Sequence, residues 1–223
     1  MMSDLLRVRN VTKVYSGEGA SVTALKGVSF AVKSGEFVAV MGPSGCGKST
    51  LLHLMGGMDR PTEGRIWLGD LPLHRLSEEE LTRLRRTRIG FVFQFFYLLP
   101  TLTVEENVEL PFLLAGGKDR RQKVRSLLEA VRLTHRARAH PSQLSGGEMQ
   151  RAAIARALVQ DPLVILADEP TGNLDSENGR VVIELLRKLA AQRGATVVMA
   201  THSLEAARFA SRRIQMKDGC LLA

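Results

Sequence analysis

The sequence predicts an α/β fold in which helices cover both faces of a parallel sheet. Late in the sequence, Leu163–Ala167 is a fully apolar run of strand length, and Thr196–Ala200 is predicted to be the next buried strand. A helical pattern of apolar residues lies between them, at Val182, Leu185, Leu186 and Leu189. Continuously apolar strands are buried on both faces, which is typical of parallel sheets whose strands alternate with helices.

The first third of the chain predicts strands as well. Apolar residues alternate with smaller or polar ones at 28–32, and two further strands are predicted at Phe37–Met41 and Gly64–Asp70. Late in the sequence, Asp218-Gly219 predicts the turn of a hairpin.

The middle of the chain predicts helices. Two helix starts are marked by capping boxes, Ser77 with Glu80 and Thr103 with Glu106. Gly116-Gly117 is predicted to separate two helices. The second of these has apolar residues at helical spacing, at Val124, Leu127, Leu128 and Val131.

Composition excludes several classes of protein. The 223 residues, 44% of them hydrophobic and 24% charged, fit one globular domain or one domain with an inserted lobe. No apolar run approaches the roughly 18 residues of a membrane span, and no signal peptide is recognisable, so a soluble protein on the cytoplasmic side is expected. Cys46 and Cys220 are too far apart to suggest a metal site or a disulfide.

The net charge of +8 raises the question of nucleic-acid binding. The basic residues are scattered over predicted helices, and no aromatic residues are interleaved with them in a stacking pattern. Solvated helix faces and attraction of phosphate groups are therefore favoured over a dedicated nucleic-acid site.

Phosphate binding is indicated by the segment GPSGCGKST, which runs from Gly42 to Thr50 between a predicted strand and an apolar helix. This pattern matches the P-loop, whose glycines let backbone N–H groups turn toward phosphate oxygens. Lys48 would contact the β- and γ-phosphates, and the Ser49 hydroxyl would bind Mg²⁺. A glycine-rich turn with a surface lysine is the weaker alternative. The candidate nucleotide-binding residues are Gly42, Ser44, Gly45, Cys46, Gly47, Lys48, Ser49 and Thr50.

Cys46 has two interpretations. Its place at a helix N-terminus inside the cradle favours a thiolate, whereas the simpler interpretation is a small residue that fills space. In both cases we expect the thiol to line the phosphate site.

Two acidic residues supply the complementary chemistry. Asp168 ends a buried strand at the carboxyl edge of the sheet, where it is placed to hold Mg²⁺ through water. Glu169 is placed to polarise an attacking water molecule. An apolar strand followed by Asp-Glu is a weak pattern by itself, since the acid can simply cap the strand end. Together with the P-loop it indicates a nucleotide hydrolase.

The segment LSGGE, from Leu144 to Glu148, identifies the family. It resembles the signature of ABC transporter ATPases, usually written LSGGQ, and Glu148 departs from the usual glutamine. Ser145 would cap a helix whose first turn contains Gly146 and Gly147, which makes a second anion cradle. The resemblance implies that this cradle completes the site of a second copy, so that ATP joins a head-to-tail homodimer.

Other positions of the family are matched in order. Tyr15 resembles the aromatic residue that stacks on adenine, and Gln94 resembles the glutamine that links Mg²⁺ and water to the transmembrane partner. Gly172–Asp175 resembles the loop that crosses the dimer interface. His202 resembles the switch histidine that contacts the γ-phosphate, although Ser203 follows it where relatives often have Asp.

The resemblance implies a single ABC ATPase domain over 1–223. Its P-loop NTPase core, with an antiparallel β lobe, would comprise about 1–94 and 161–223. A helical subdomain carrying the signature would be inserted at about 95–160.

Within the family, three features resemble ATPases of the lipoprotein-releasing and macrolide-exporter group. They are the segment 90–108, an extended loop expected over Ser16–Ala24, and the sequence DEPTGNLD at 168–175. The resemblance implies the cofactors ATP and Mg²⁺, a permease partner contacting Gln94 and the helical subdomain, and a peripheral position on the cytoplasmic face of the inner membrane. The implied catalytic residues are Glu169, His202, Gln94 and Lys48; the implied metal-site residues are Ser49, Gln94 and Asp168.

Several other functions share parts of this pattern. The cell-division ATPase that controls wall hydrolases belongs to the same group, and a soluble ABC ATPase without a transport role is a further alternative. Chromosome and DNA-repair ATPases insert long coiled coils between the P-loop and the Asp-Glu strand, and sustained heptads are absent here. Translation-associated relatives carry two cassettes in one chain. No nucleic-acid partner is therefore expected.

Overall fold

The computed structural model describes residues 3–17, 20–116 and 121–222, which form ten strands in two sheets and seven α-helices. The smaller sheet is antiparallel, with the order β2-β1-β4-β5. Its strands are β1 (Asp4–Gly17), β2 (Ala20–Lys33), β4 (Glu63–Leu68) and β5 (Leu71–Pro72).

The expectation of a loop over Ser16–Ala24 is wrong. Ser16 pairs with Ser21, Gly17 pairs with Ala20, and the pairing continues along the two long strands β1 and β2. Polar residues and glycine at the hairpin end hid the strand pattern, because the backbone pairing here needs no apolar alternation. Glu18 and Gly19 lie outside the described residues.

The larger sheet has the order β10-β9-β3-β8-β7-β6. Strands β3, β6, β7, β8 and β9 are parallel, and β10 is antiparallel to β9. The parallel sheet is therefore confirmed, as is the hairpin turn at Asp218-Gly219. The strands are β3 (Phe37–Met41), β6 (Ile89–Phe93), β7 (Val164–Asp168), β8 (Thr196–Thr201), β9 (Arg212–Lys217) and β10 (Cys220–Leu221).

The helices begin where the capping residues predict. Ser77 accepts a hydrogen bond from the Glu80 N–H, and Thr103 accepts one from the Glu106 N–H. Gly116 follows the third helix with φ 77°, and Gly117 lies outside the described residues. The helices are α1 (Lys48–Met55), α2 (Glu78–Thr87), α3 (Val104–Leu114), α4 (Arg121–Ala130), α5 (Gly146–Leu158), α6 (Ser176–Gln192) and α7 (Leu204–Ala207).

The central strands are buried on both faces, as their continuous apolar sequences predict. In β3, the side chains of Phe37, Ala39 and Met41 belong to a core shared with α3–α6, whereas Val38 and Val40 belong to a second core shared with α1 and the smaller sheet. Helices α3, α4 and α5 all lie between β6 and β7 in sequence, so the stretch from 95 to 160 contains no strand among its described residues.

The topology brings the predicted site residues to one edge. Phe93 pairs with Asp168, Asp168 pairs with Ala200, and Met41 pairs with Thr201. The carboxyl ends of β3, β6, β7 and β8 therefore lie side by side, which is where ligands of parallel α/β sheets bind. In the described part of the chain, no helix has the length and apolar character needed to cross a membrane.

Candidate active site

A cradle of backbone N–H groups lies at the start of α1. Gly47 is the N-cap residue, with φ 103°, and no side chain caps the helix. A Cβ atom on Gly47 would lie 2.5 Å from the Ala24 carbonyl oxygen, so only glycine fits there. The first N–H groups of α1 are consequently left for an anion, with the helix dipole adding positive potential.

Lys48 is held beneath this cradle. Its side chain is 6% exposed, and Nζ donates to the carbonyl oxygens of Gly42 at 2.9 Å and Pro43 at 3.1 Å. The same nitrogen lies 3.7 Å from Glu169 Oε1. A buried ammonium beside open N–H groups is suited to bind phosphate oxygens.

Ser49 and Asp168 form a pair of oxygen donors. The Ser49 hydroxyl donates to Asp168 Oδ1 at 3.0 Å. Burial is the main reason that the pKa of Asp168 is raised, and the negative charge of Glu169 raises it further. The hydrogen bond from Ser49 and the charges of His53 and Lys48 lower this pKa, but by less. A hydroxyl and one carboxylate fit Mg²⁺, which takes oxygen ligands and completes its shell with water and substrate phosphates. The described residues contain no cluster of three acidic, His or Cys side chains that would hold a metal by themselves.

Glu169 leaves the strand in a different direction from Asp168. Its φ is 45°, a left-handed conformation that is uncommon for residues other than glycine, and its N–H donates to the Ala200 carbonyl at 2.9 Å. Its carboxylate is 2.9 Å from His202 Nδ1 and accepts a second, longer bond from the His202 N–H. Glu169, Lys48 and His202, predicted from three separate segments, are thus brought together.

Gln94 lies beside this group but is engaged elsewhere. Its Nε2 donates to Asn173 Oδ1 at 3.1 Å, and Asn173 Nδ2 donates back to the Gln94 carbonyl at 3.0 Å. A Cβ atom on Gly172 would lie 2.7 Å from Gln94 Nε2, so a larger residue at position 172 would require the Gln94 side chain to move. The structure therefore joins Gln94 to the 172–175 loop rather than to Ser49 and Asp168, and its metal-binding role stays a prediction.

Tyr15 is placed beside α1. Its ring is 42% exposed, and its hydroxyl interacts with Thr50 in the first turn of the helix. The predicted base-binding residue and the phosphate cradle are therefore neighbours.

The signature segment forms the N-terminus of α5. The Ser145 hydroxyl accepts from the Glu148 N–H at 3.3 Å, and the Glu148 carboxylate accepts from the Ser145 N–H at 2.9 Å. Helix α5 packs against α3, α4, α6 and β6, whereas α1 packs against β1, β2, β4, β7 and β8. The signature cradle and the P-loop are thus built on different parts of the molecule.

The negative charge of Glu148 is balanced within the subunit. Arg136 Nε lies 3.2 Å from Glu148 Oε1. The hydrogen bond from the Ser145 N–H is the main reason that the pKa of Glu148 is lowered, and Arg136 adds to it against the opposing effect of burial. Sequence reasoning noted the departure at Glu148 but not this partner, which is twelve positions away.

The Cys46 thiol is not part of the site surface. Its side chain is 4% exposed and belongs to the core shared with α1, with Sγ 2.7 Å from the position of a Cβ on Gly42. The expectation that the thiol lines the phosphate site is therefore wrong, because the Cys46 side chain fills space in the core. Its backbone N–H donates to the Pro43 carbonyl at 3.3 Å, and a role of this backbone in nucleotide binding stays a prediction.

Comparison with known proteins places this geometry in a family. Residues 25–172 match the family described as ABC transporter. The chain is 48% identical over 221 residues to the uncharacterized ABC transporter ATP-binding protein MJ0796 of Methanocaldococcus jannaschii, covering 96% of this chain and 94% of the relative. It is 47% identical over 224 residues to the lipoprotein-releasing system ATP-binding protein LolD of Geobacter metallireducens, covering 100% of both.

Solved structures agree with the sequence comparison. A dimeric structure of MJ0796 in a post-hydrolysis state, bound to ADP and Pi, superposes with a TM-score of 0.90 at 46% identity, covering 98% of this chain and 97% of that one. A second dimeric structure of the MJ0796 cassette superposes with a TM-score of 0.89 at 45% identity, again covering 98% of this chain and 97% of that one. These neighbours share the predicted fold.

Proposed function

The chain belongs to the ABC transporter ATP-binding family, and from that premise we propose that it drives a membrane permease of the lipoprotein-release or macrolide-export type. As a member of that family it binds and hydrolyses ATP. Similarity over the full length of LolD supports the narrower assignment. The permease would lie against Gln94 and the helical subdomain at about 95–160, with the subunit peripheral on the cytoplasmic face of the membrane.

The geometry that carries the proposal is the convergence of Lys48, Glu169 and His202 at the carboxyl edge of the sheet. Lys48 and the open N–H groups of α1 would hold the phosphates of ATP. Glu169 would accept a proton from the attacking water, with His202 orienting its carboxylate. Ser49 and Asp168 would hold Mg²⁺, which neutralises phosphate charge.

The signature supports a dimer of two copies. Ser145 caps α5 and Gly146 and Gly147 begin it, and this helix packs mainly against α3 and β6, whereas α1 packs mainly against β7 and β8. These three residues would therefore contact the ATP bound to the P-loop of a second subunit. Two structures of MJ0796 are dimeric, which supports the dimer itself.

The catalytic assignment is tested with Glu169→Gln. We expect this variant to bind ATP but to hydrolyse it roughly 10²–10⁴-fold more slowly, the range for loss of general-base catalysis. ATP should then accumulate in a dimer visible by size-exclusion chromatography. Hydrolysis at a near-normal rate would remove Glu169 from the mechanism.

The composite site is tested with Ser145→Arg, which fills the signature cradle and leaves the P-loop of the same subunit intact. Monomers should still bind ATP, whereas ATP-driven dimerisation and hydrolysis should be lost. An unchanged rate of hydrolysis would contradict the composite site.

The transport assignment needs a separate experiment. Affinity purification of the tagged chain from membranes, followed by mass spectrometry, should recover one integral membrane permease in stoichiometric amount. Recovery of no membrane protein would contradict the transport role without affecting the assignment of the ATPase site.

A further inference from the structure

Three donors converge on one carboxylate in the loop that follows α1. Asp59 Oδ1 accepts from Lys13 Nζ at 2.7 Å and from the Arg60 N–H at 2.6 Å. Asp59 Oδ2 accepts from the Tyr15 hydroxyl at 3.0 Å.

The pKa shifts of Asp59 and Tyr15 agree with a carboxylate that accepts a hydrogen bond from a phenol. Burial acts to raise the pKa of Asp59, but the hydrogen bonds from Lys13, the Arg60 N–H and Tyr15 outweigh it and lower the pKa. Burial raises the pKa of Tyr15, and its bond to Asp59 does so too, against the hydrogen bond to Thr50. At neutral pH the carboxylate is therefore ionised and the phenol is the donor.

Lys13 also covers one face of the Tyr15 ring. Its Nζ lies 4.8 Å from the ring centroid, within the range of a cation–π contact. A second aromatic group can therefore stack only on the opposite face.

The loop that carries Asp59 is fixed to α1 and α2. The Met58 N–H donates to the His53 carbonyl at 2.9 Å. The guanidinium of Arg60 donates to Glu78 Oε1 at 2.8 Å and to the Leu76 carbonyl at 2.7 Å. Tyr15 is thus anchored to the end of the same helix whose first residue is Lys48.

We propose that Asp59 and Lys13 are positioning residues for the nucleotide base: they fix the Tyr15 ring so that one face is presented to a purine stacked beside the phosphate cradle. The inference rests on the proposed ATP site and adds to it the residues that determine affinity for the base. A ring held in advance loses less conformational freedom on binding, which strengthens binding by about 2- to 10-fold for one side chain.

The test compares two ligands that differ in the base. Affinity for the magnesium salts of a non-hydrolysable ATP analogue and of inorganic triphosphate is measured by calorimetry. Asp59→Ala is expected to weaken binding of the ATP analogue by about 2- to 10-fold and to leave triphosphate binding unchanged. Tyr15→Phe, which keeps the ring and removes the hydroxyl, should give a similar loss.

Two further variants complete the design. Glu78→Ala breaks the ion pair to Arg60 in the same loop without touching Tyr15, and it should leave affinity for both ligands unchanged. In a Tyr15→Ala background, Asp59→Ala should have no additional effect, because both changes act through one ring.

An equal loss for the two ligands would overturn the proposal, because Asp59 would then act on the P-loop through α1. No loss for either ligand in Asp59→Ala would overturn it too. Failure of the phosphate site itself is distinguishable, since it would appear as normal triphosphate binding in Lys48→Ala.

Discussion

Arg156, near the end of α5, offers a prediction whose size follows from its contacts. Its guanidinium donates to the carbonyl oxygens of Phe96 and Tyr97, the bond to Phe96 being 2.6 Å long. Burial lowers the pKa of this guanidinium. Among the residues that the structure describes, no carboxylate forms an ion pair with Arg156. The two backbone carbonyls are therefore its main compensation for leaving water.

The segment that Arg156 holds is strained. Phe96 and Tyr97 have φ values of 58° and 48°, and each left-handed residue costs about 1–2 kcal/mol. Hydrogen bonds to a charged group contribute about 1.5–3 kcal/mol each. Arg156→Ala loses two such bonds, about 3–6 kcal/mol, and regains about 2–4 kcal/mol if the turn relaxes. With the middle of each range, about 4.5 kcal/mol lost and about 3 kcal/mol regained, the expected net loss of unfolding free energy is about 1.5 kcal/mol, or a fall in Tm of about 3–6 °C.

Urea and thermal unfolding measure this loss, and limited chymotrypsin digestion reports the turn itself. Phe95 and Tyr97 are 64% and 61% exposed, so a relaxed turn should be cleaved faster. Arg193→Ala is the matched control, because Arg193 donates one long bond of 3.4 Å to the Leu189 carbonyl. It should change the unfolding free energy by less than about 0.5 kcal/mol. Equal losses in the two variants, or none in Arg156→Ala, would refute the reasoning.

Three further changes have defined outcomes. Lys48→Ala removes a buried cation from the phosphate cradle and should weaken ATP binding by roughly 10- to 100-fold in a filter assay; unchanged affinity would contradict its role. Arg136→Ala leaves the Glu148 charge at the signature unbalanced and should weaken ATP-driven dimerisation by about 2- to 5-fold in sedimentation. Adding Glu148→Gln to Arg136→Ala should reverse this loss, and an equal loss in the double variant would exclude charge as the cause. A maleimide should modify half-buried Cys220 well before buried Cys46, with mass spectrometry locating the adduct; fast modification of Cys46 would contradict its burial.

Much of the site was predictable because its chemistry is local in sequence. The P-loop, the Asp168-Glu169 pair and the capped signature helix each lie within a few consecutive residues. The P-loop pattern by itself predicts phosphate binding, whereas the acidic pair gained meaning only beside the P-loop and the signature only through the family resemblance. The parallel sheet was predictable because β7 is apolar from Val164 to Ala167 and β8 from Val197 to Ala200, as burial on both faces requires.

The features that sequence reasoning missed depend on contacts between distant segments. Asp59 and Tyr15 are 44 positions apart, and Gln94 and Asn173 are 79 apart. Neither pairing has a periodic signature, since each is fixed by how loops meet at the edge of the sheet. The burial of the Cys46 thiol was missed for a related reason: a local pattern identifies the backbone of the cradle but not the direction of each side chain.

The position of β3 in the larger sheet has a consequence for synthesis on the ribosome. Its two neighbours, β8 and β9, come late in the sequence, where Phe37 pairs with Val197 and Val38 with Arg212. The strand that leads into the P-loop therefore stays unpaired while most of the chain is being translated, and such long-range pairing forms slowly. Until then β3 is an unpaired, continuously apolar strand that can aggregate or bind chaperones. The nascent subunit should acquire affinity for ATP only after β9 has emerged from the exit tunnel.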